Sequence, residues 1–154
     1  MAKETITGYK VGLYVEKEDG SNDFVRVLCA NSISLDITTE ALPTDCQDVD
    51  GADGNFASSE PGQISWTAGT EMSVRNITGA DATTNVSAAD LVDYQLAGRK
   101  LKIQYQLGKV AGSPVYSGLV WINKNGFSGA NKDTVKAAVA MTGTGPLTKS
   151  VVVV

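Results

Sequence analysis

The stretch Asp48-Val49-Asp50-Gly51-Ala52-Asp53-Gly54-Asn55 is where the chain most resembles a site for chemistry. Several hard oxygen donors on a tightly turning backbone are what a calcium ion needs. The spacing is wrong for the helix–loop–helix calcium loop: Ala52 stands where an oxygen ligand belongs, and the closing bidentate Glu is missing. The stretch therefore reads first as a solvated, turn-rich loop, with a metal site as the alternative. The EDTA test is simple: an unchanged melting temperature on chelation removes the metal reading.

Other chemistry is scarce. The chain has no histidine, which removes the commonest general base, the Ser-His-Asp and Cys-His arrangements and most zinc sites. No phosphate-binding glycine loop, nucleophile elbow or dinucleotide fingerprint occurs. Paired carboxylates could serve a glycosidase, but 17 acidic residues supply such pairs without any catalytic design. The aromatics Trp66, Tyr105, Tyr116, Trp121 and Phe127 could form a stacking platform. They lie in or beside apolar strands, where packing in a core or interface is the commoner role. No enzyme and no cofactor is expected.

The elements that must carry these residues are mostly strands. Val11, Leu13 and Val15 alternate. A turn cluster follows at Glu18-Asp19-Gly20-Ser21-Asn22-Asp23, and Phe24 to Cys29 resumes as a strand, which together make a hairpin. Ser32 to Thr38 alternates strictly, with Ile33, Leu35 and Ile37 on one face and Ser32, Ser34, Asp36 and Thr38 on the other. One face is buried and the other is wet. From Glu40 to Gly62 the pattern dissolves into Pro, Asp, Gly, Ser and Asn. A loop of that length in a compact domain is usually functional or disordered. Strands are expected at Gln63–Thr67 and Met72–Ile77, separated by Ala68-Gly69-Thr70-Glu71.

Ser87 with Asp90 forms a capping-box signature, Leu91, Val92 and Leu96 follow at helical spacing, and Gly98 is a natural terminator. A helix over about 88–97 is expected, with Arg99 and Lys100 at its negative end. Further strands fall at Leu101–Leu107, Val115–Ile122, Val135–Met141 and Thr148–Val154. Lys132 to Lys136 reads as a solvated edge. The fold class is mainly β, a sandwich or partial barrel with one flanking helix, in a single domain over 1–154.

Net charge is −4, so the chain as a whole has no basic footprint for holding a phosphate backbone. Met1 to Thr5 shows no apolar leader, and no run of ~18 apolar residues offers a membrane helix. Cys29, in an apolar strand, and Cys46, in a polar loop, are not expected to pair. A reducing cytoplasm suits this composition.

The order of elements closes on Gly126-Phe127-Ser128-Gly129-Ala130 and then Met141-Thr142-Gly143-Thr144-Gly145-Pro146-Leu147-Thr148. With the alternating strand at Ser32–Asp36 and the following Leu42-Pro43-Thr44-Asp45, it resembles the major tail tube proteins of long-tailed, non-contractile phages. In that family Gly143 to Pro146 would be a turn before a last strand. The resemblance implies a structural subunit. Six copies form a ring, the strands of neighbouring copies join into one inner barrel, and rings stack into a conduit for DNA. It implies an inter-subunit role for the long loop, through Leu42, Asp48, Asp50, Asp53, Asn55 and Phe56. It also places Ser32, Ser34, Asp36 and Thr38 toward the lumen.

Implied partners are further copies of the chain, with tape-measure, tail terminator and distal tail proteins. DNA would pass without specific binding, and no membrane is involved. The location would be the virion tail, assembled in the host bacterial cytoplasm. Six copies at −4 each give a formal −24 per ring, a field that keeps a polyanion off the wall. The alternatives are the inner tube of a contractile tail or secretion-type system, and a stand-alone β-sandwich binding or adhesion module.

Overall fold

In the computed structural model, which describes residues 11–17, 20–27, 30–43, 59–75 and 84–153, hydrogen bonding is carried by one continuous eight-stranded sheet. Its strands are β1 (Gly12–Glu16), β2 (Phe24–Val27), β3 (Ala30–Pro43), β4 (Ser59–Ser73), β5 (Asn85–Val86), β6 (Leu101–Gln106), β7 (Pro114–Ser128) and β8 (Lys136–Val151). The order across the sheet is β3-β4-β8-β7-β6-β1-β2-β5. All neighbours are antiparallel except β2 and β5, which pair in parallel through Arg26 with Asn85 and Val27 with Val86. Helix α1 (Ala88–Leu96) lies between β5 and β6 in sequence and packs against β7.

Trp66 and Met72 of β4 share one buried cluster with Leu13 and Val15 of β1, Val27 of β2 and Leu91 of α1. Strands far apart in the sheet can meet in one core only if the sheet curls round on itself. The mainly-β fold with a flanking helix is therefore present in the partial-barrel form.

The hairpin of β1 and β2 forms as the alternation predicts, with Val15 opposite Val25. The helix also matches. The Ser87 N–H donates to Asp90 Oδ2 at 3.0 Å and the Asp90 N–H to Ser87 Oγ at 3.3 Å, a complete capping box. Gly98, at φ +66°, turns the chain out of the helix, with the Arg99 N–H bonded to Tyr94 O and the Gly98 N–H to Gln95 O. The Arg99 side chain does more than sit near a dipole. Its guanidinium donates to the carbonyls of Lys17 (2.6 Å) and Glu16 (3.1 Å) and stacks on Tyr94, tying the helix exit to the β1–β2 turn.

Four strand boundaries differ from those expected, one of them at β7, which runs past Ile122 to Ser128. The loop at 40–62 is shorter, because β3 continues to Pro43 and β4 begins at Ser59, with Leu42 opposite Glu60. Most of this outer part is exposed on both faces, so burial imposes no period-2 pattern there; backbone pairing holds it, with the Leu42 side chain lying over Gly62. Residues 68–71 do not interrupt β4. Trp66, Ala68, Thr70 and Met72 are all buried on one face, and Thr70 is tolerated because its hydroxyl donates to Ser32 O at 3.0 Å.

The last difference is at Gly143–Pro146, which is no turn. Strand β8 runs straight through it, and the pairing steps from Ser117–Thr148 to Leu119–Thr144, so the extra residues form a bulge. Trp66 explains the glycines. Its indole lies where a Cβ on Gly143 or Gly118 would sit, and its Nε1–H donates to Gly145 O at 3.1 Å. Gly145 has φ +80°, which only glycine adopts freely. Cys29, Cys46 and the outer residues 76–77 of the strand expected at Met72–Ile77 lie outside the described residues.

Candidate assembly surface

Ser32, Ser34, Asp36 and Thr38 are brought onto one face of β3, as their alternation requires, and all four are exposed. Across β4 they stand beside Glu71, Gly69, Thr67 and Ser65. Across β8 the same rows continue as Ala138, Ala140 and Thr142. On β7 they end at Gly126, Lys124 and Trp121. The face away from the core is thus a wall of hydroxyls and small side chains. Shallow open grooves run along it, lined by Ser34, Asp36, Gly69, Thr67, Lys124 and Ala140 among others. Smallness has a local cause at Gly69, where an added Cβ would come within 3.0 Å of Ser34 Oγ.

The charges of this wall do not follow the net charge of the chain. Glu71 and Lys136 approach to 3.9 Å on it. Asp36 on β3 and Lys124 on β7 are the other charged members of these rows, so the body of the wall is balanced. Asp36 is felt inside as well. Burial raises the Tyr105 phenol above its ordinary value, and the charge of Asp36 raises it further.

Two edges of this four-stranded region carry no partner strand among the described residues. β3 is the last strand on its side. On the other side β6 pairs only with Val115–Val120 of β7, so Trp121–Ser128 extends beyond it. An edge of this kind presents unpaired N–H and C=O groups and is a template for another chain. Beyond the core, β3 and β4 continue as an arm on which Ile64 is 65% exposed and Leu42 47%; Ile37, expected on the buried face with Ile33 and Leu35, is itself 54% exposed because it lies where the strand leaves the core.

Of the expected inter-subunit residues, Leu42 lies on this arm, while Asp48, Asp50, Asp53, Asn55 and Phe56 lie outside the described residues, as does the calcium-like stretch. Among the described residues no group of three or more acidic or cysteine side chains could hold a metal. The aromatics divide: Trp66 is core, Tyr105 packs against it, and Trp121 and Phe127 are exposed at 44% and 53%. The free part of β7 lies beyond the strand expected at Val115–Ile122. Its signal is Asn123-Lys124-Asn125, which interrupts an apolar strand without a Gly or Pro. Asn123 is the extra residue of a bulge between Ile122 and Lys124.

No protein-family model matches the chain, and no curated protein matches it in sequence. Solved structures do. A chain from the tail of an empty gene transfer agent particle, of C6 symmetry, superposes with a TM-score of 0.75 at 12% identity, over 94% of this chain and 98% of that one. A chain from the virion of a native gene transfer agent particle gives 0.72 at 12% identity, over 94% and 98%. The SPP1 tail tube gives 0.72 at 12% identity, over 97% of this chain and 81% of that one. The fold is therefore that of tail and tail-tube subunits.

Proposed function

We propose that the chain is a structural subunit that closes into rings and stacks into a tail tube, a conduit for DNA. The observation that carries this reading is a pair of strand edges, β3 and the outer half of β7, that have no partner strand among the described residues and flank a hydroxyl-rich wall. Joining β3 of one copy to β7 of the next would satisfy both edges and make the wall continuous around a bore. Ser32, Ser34, Asp36 and Thr38 then face the lumen. The C6 symmetry of one structural neighbour supports six copies. A wall of small, uncharged or mutually paired side chains suits passage of a polyanion, because it gives the phosphates no cations to exchange for counterions.

The arm and the residues between β3 and β4 supply a second contact, to a neighbouring copy in the same ring or the next. The virion tail is the location, with tape-measure, terminator and distal tail proteins as further partners. Native mass spectrometry tests the ring directly. Six-copy species growing with concentration support it, and a monomer at every concentration contradicts it. For the loop, deletion of Asp48–Asn55 should leave a folded monomer that no longer grows tubes. Unimpaired growth of that deletion removes the loop from the account.

A further inference from the structure

We propose that the register between neighbouring copies is set by an ion pair across the seam, from Asp36 on the β3 edge of one copy to Lys124 on the β7 edge of the next. The inference rests on the ring reading and names the contact that would close it. Along the outward rows of β3, Ser32, Ser34, Asp36 and Thr38 include a single charge, and it is acidic. Along the outward rows of the free part of β7, Trp121, Lys124, Gly126 and Ser128 include a single charge, and it is basic. Both side chains are exposed, and neither has a hydrogen bond or ion pair to a described residue. Of the remaining charges, Glu71 and Lys136 already face each other within one copy, and Glu40 lies beyond Thr38 on the outer part of β3.

Within a copy, Asp36 and Lys124 are separated by β4 and β8. Three strand spacings put them roughly 14 Å apart, too far for contact. Across a closed seam their strands are neighbours, about 5 Å apart, which a carboxylate and an ammonium span. The directions allow it. β3 opposes β4, β4 opposes β8 and β8 opposes β7, so β3 and β7 run in opposite senses. Copies related by rotation about a tube axis therefore meet in an antiparallel pair.

Register is the remaining freedom, since backbone pairing does not read sequence. A one-residue slip would turn the hydroxyl face inward and is excluded, which leaves steps of two. Through the copy's own sheet Lys124 is level with Ser34, by way of Ala140 and Gly69. A closed barrel needs its strands staggered, and a stagger of one such step toward Thr38 is the one that brings Lys124 opposite Asp36, which is the proposed register. A step more or fewer leaves Lys124 opposite Thr38 or Ser34, with both charges unpaired.

Charge reversal tests this. Asp36→Lys and Lys124→Asp should each retain the wild-type melting temperature and each raise the concentration needed for assembly by about tenfold or more, as like charges meet at every seam. The double variant should assemble again. An equimolar mixture of the two single variants should also assemble, because alternating copies restore an opposite-charge pair at every seam of an even-numbered ring. Single variants that assemble like wild type, or a mixture and a double variant that stay unassembled, overturn the ion pair. As a fold-independent check, Asp36→Cys with Lys124→Cys in a Cys29→Ser, Cys46→Ser background should give a ladder of disulfide-linked oligomers on oxidation. Monomer alone overturns the proposal. If wild type never assembles, the ring reading itself fails. If wild type assembles and the variants show no coupling, only the seam pair fails.

Discussion

Trp66 shows how one residue fixes the composition of two other strands. Its indole occupies the space above Gly118 of β7 and Gly143 of β8, and its N–H is satisfied by the carbonyl of Gly145. Gly143→Ala must push the ring or the backbone aside, and overpacking of this kind costs typically about 1–3 kcal/mol. Urea denaturation should show that loss, whereas Gly126→Ala, where a Cβ meets open space, should not. The tyrosines give a pH test. Tyr94 is raised by burial, with Asp90 adding and Arg99 opposing, and Tyr105 by burial with Asp36 adding. The folded state keeps these protons where the unfolded chain would release them. Stability is therefore full below the unfolded value of 10.0 and falls as pH rises toward the folded values. Asp36→Asn should lower the Tyr105 value and leave Tyr94 unmoved, as read from phenolate absorbance or NMR.

At the scale of elements, stability and assembly come from different parts of the chain. Ser87 closes both halves of the capping box of α1, so Ser87→Ala should cost about 1 kcal/mol and lower the melting temperature. Ile37 and Ile64 stand on the arm away from the core, more than half exposed. Ile64→Lys should therefore change stability by no more than about 0.5 kcal/mol. On the assembly reading, the same change reduces tube growth, as seen by sedimentation.

Legibility in the sequence follows the same division. The hairpin of β1 and β2 could be read from period-two apolar residues on either side of a turn cluster, the inner part of β3 from its polar alternate face, and the helix from a cap with a fixed signature. The full lengths of β4 and β8 could not. Gly69, Thr70 and the Gly143–Pro146 run look like breakers, and their tolerance depends on Ser34, Ser32 and Trp66, which are remote in sequence. The arm escaped notice because a strand exposed on both faces has no periodicity to show. The polar face of β3 was legible as a face, while its counterpart on β7 depended on a bulge that shifts the alternation.

For the whole molecule, the sheet curls far enough to enclose a core, and among the described residues it leaves β3 and the end of β7 without a partner strand, so closure is completed by other copies in the proposed ring. The net charge of −4 belongs to the chain as a whole, and the wall itself carries matched charges with hydroxyls between them. Electron microscopy of the purified protein at rising concentration tests the central claim most directly. The account predicts sixfold rings that lengthen into hollow tubes. Particles that stay monomeric at high concentration, even with tail initiator components added, would contradict it.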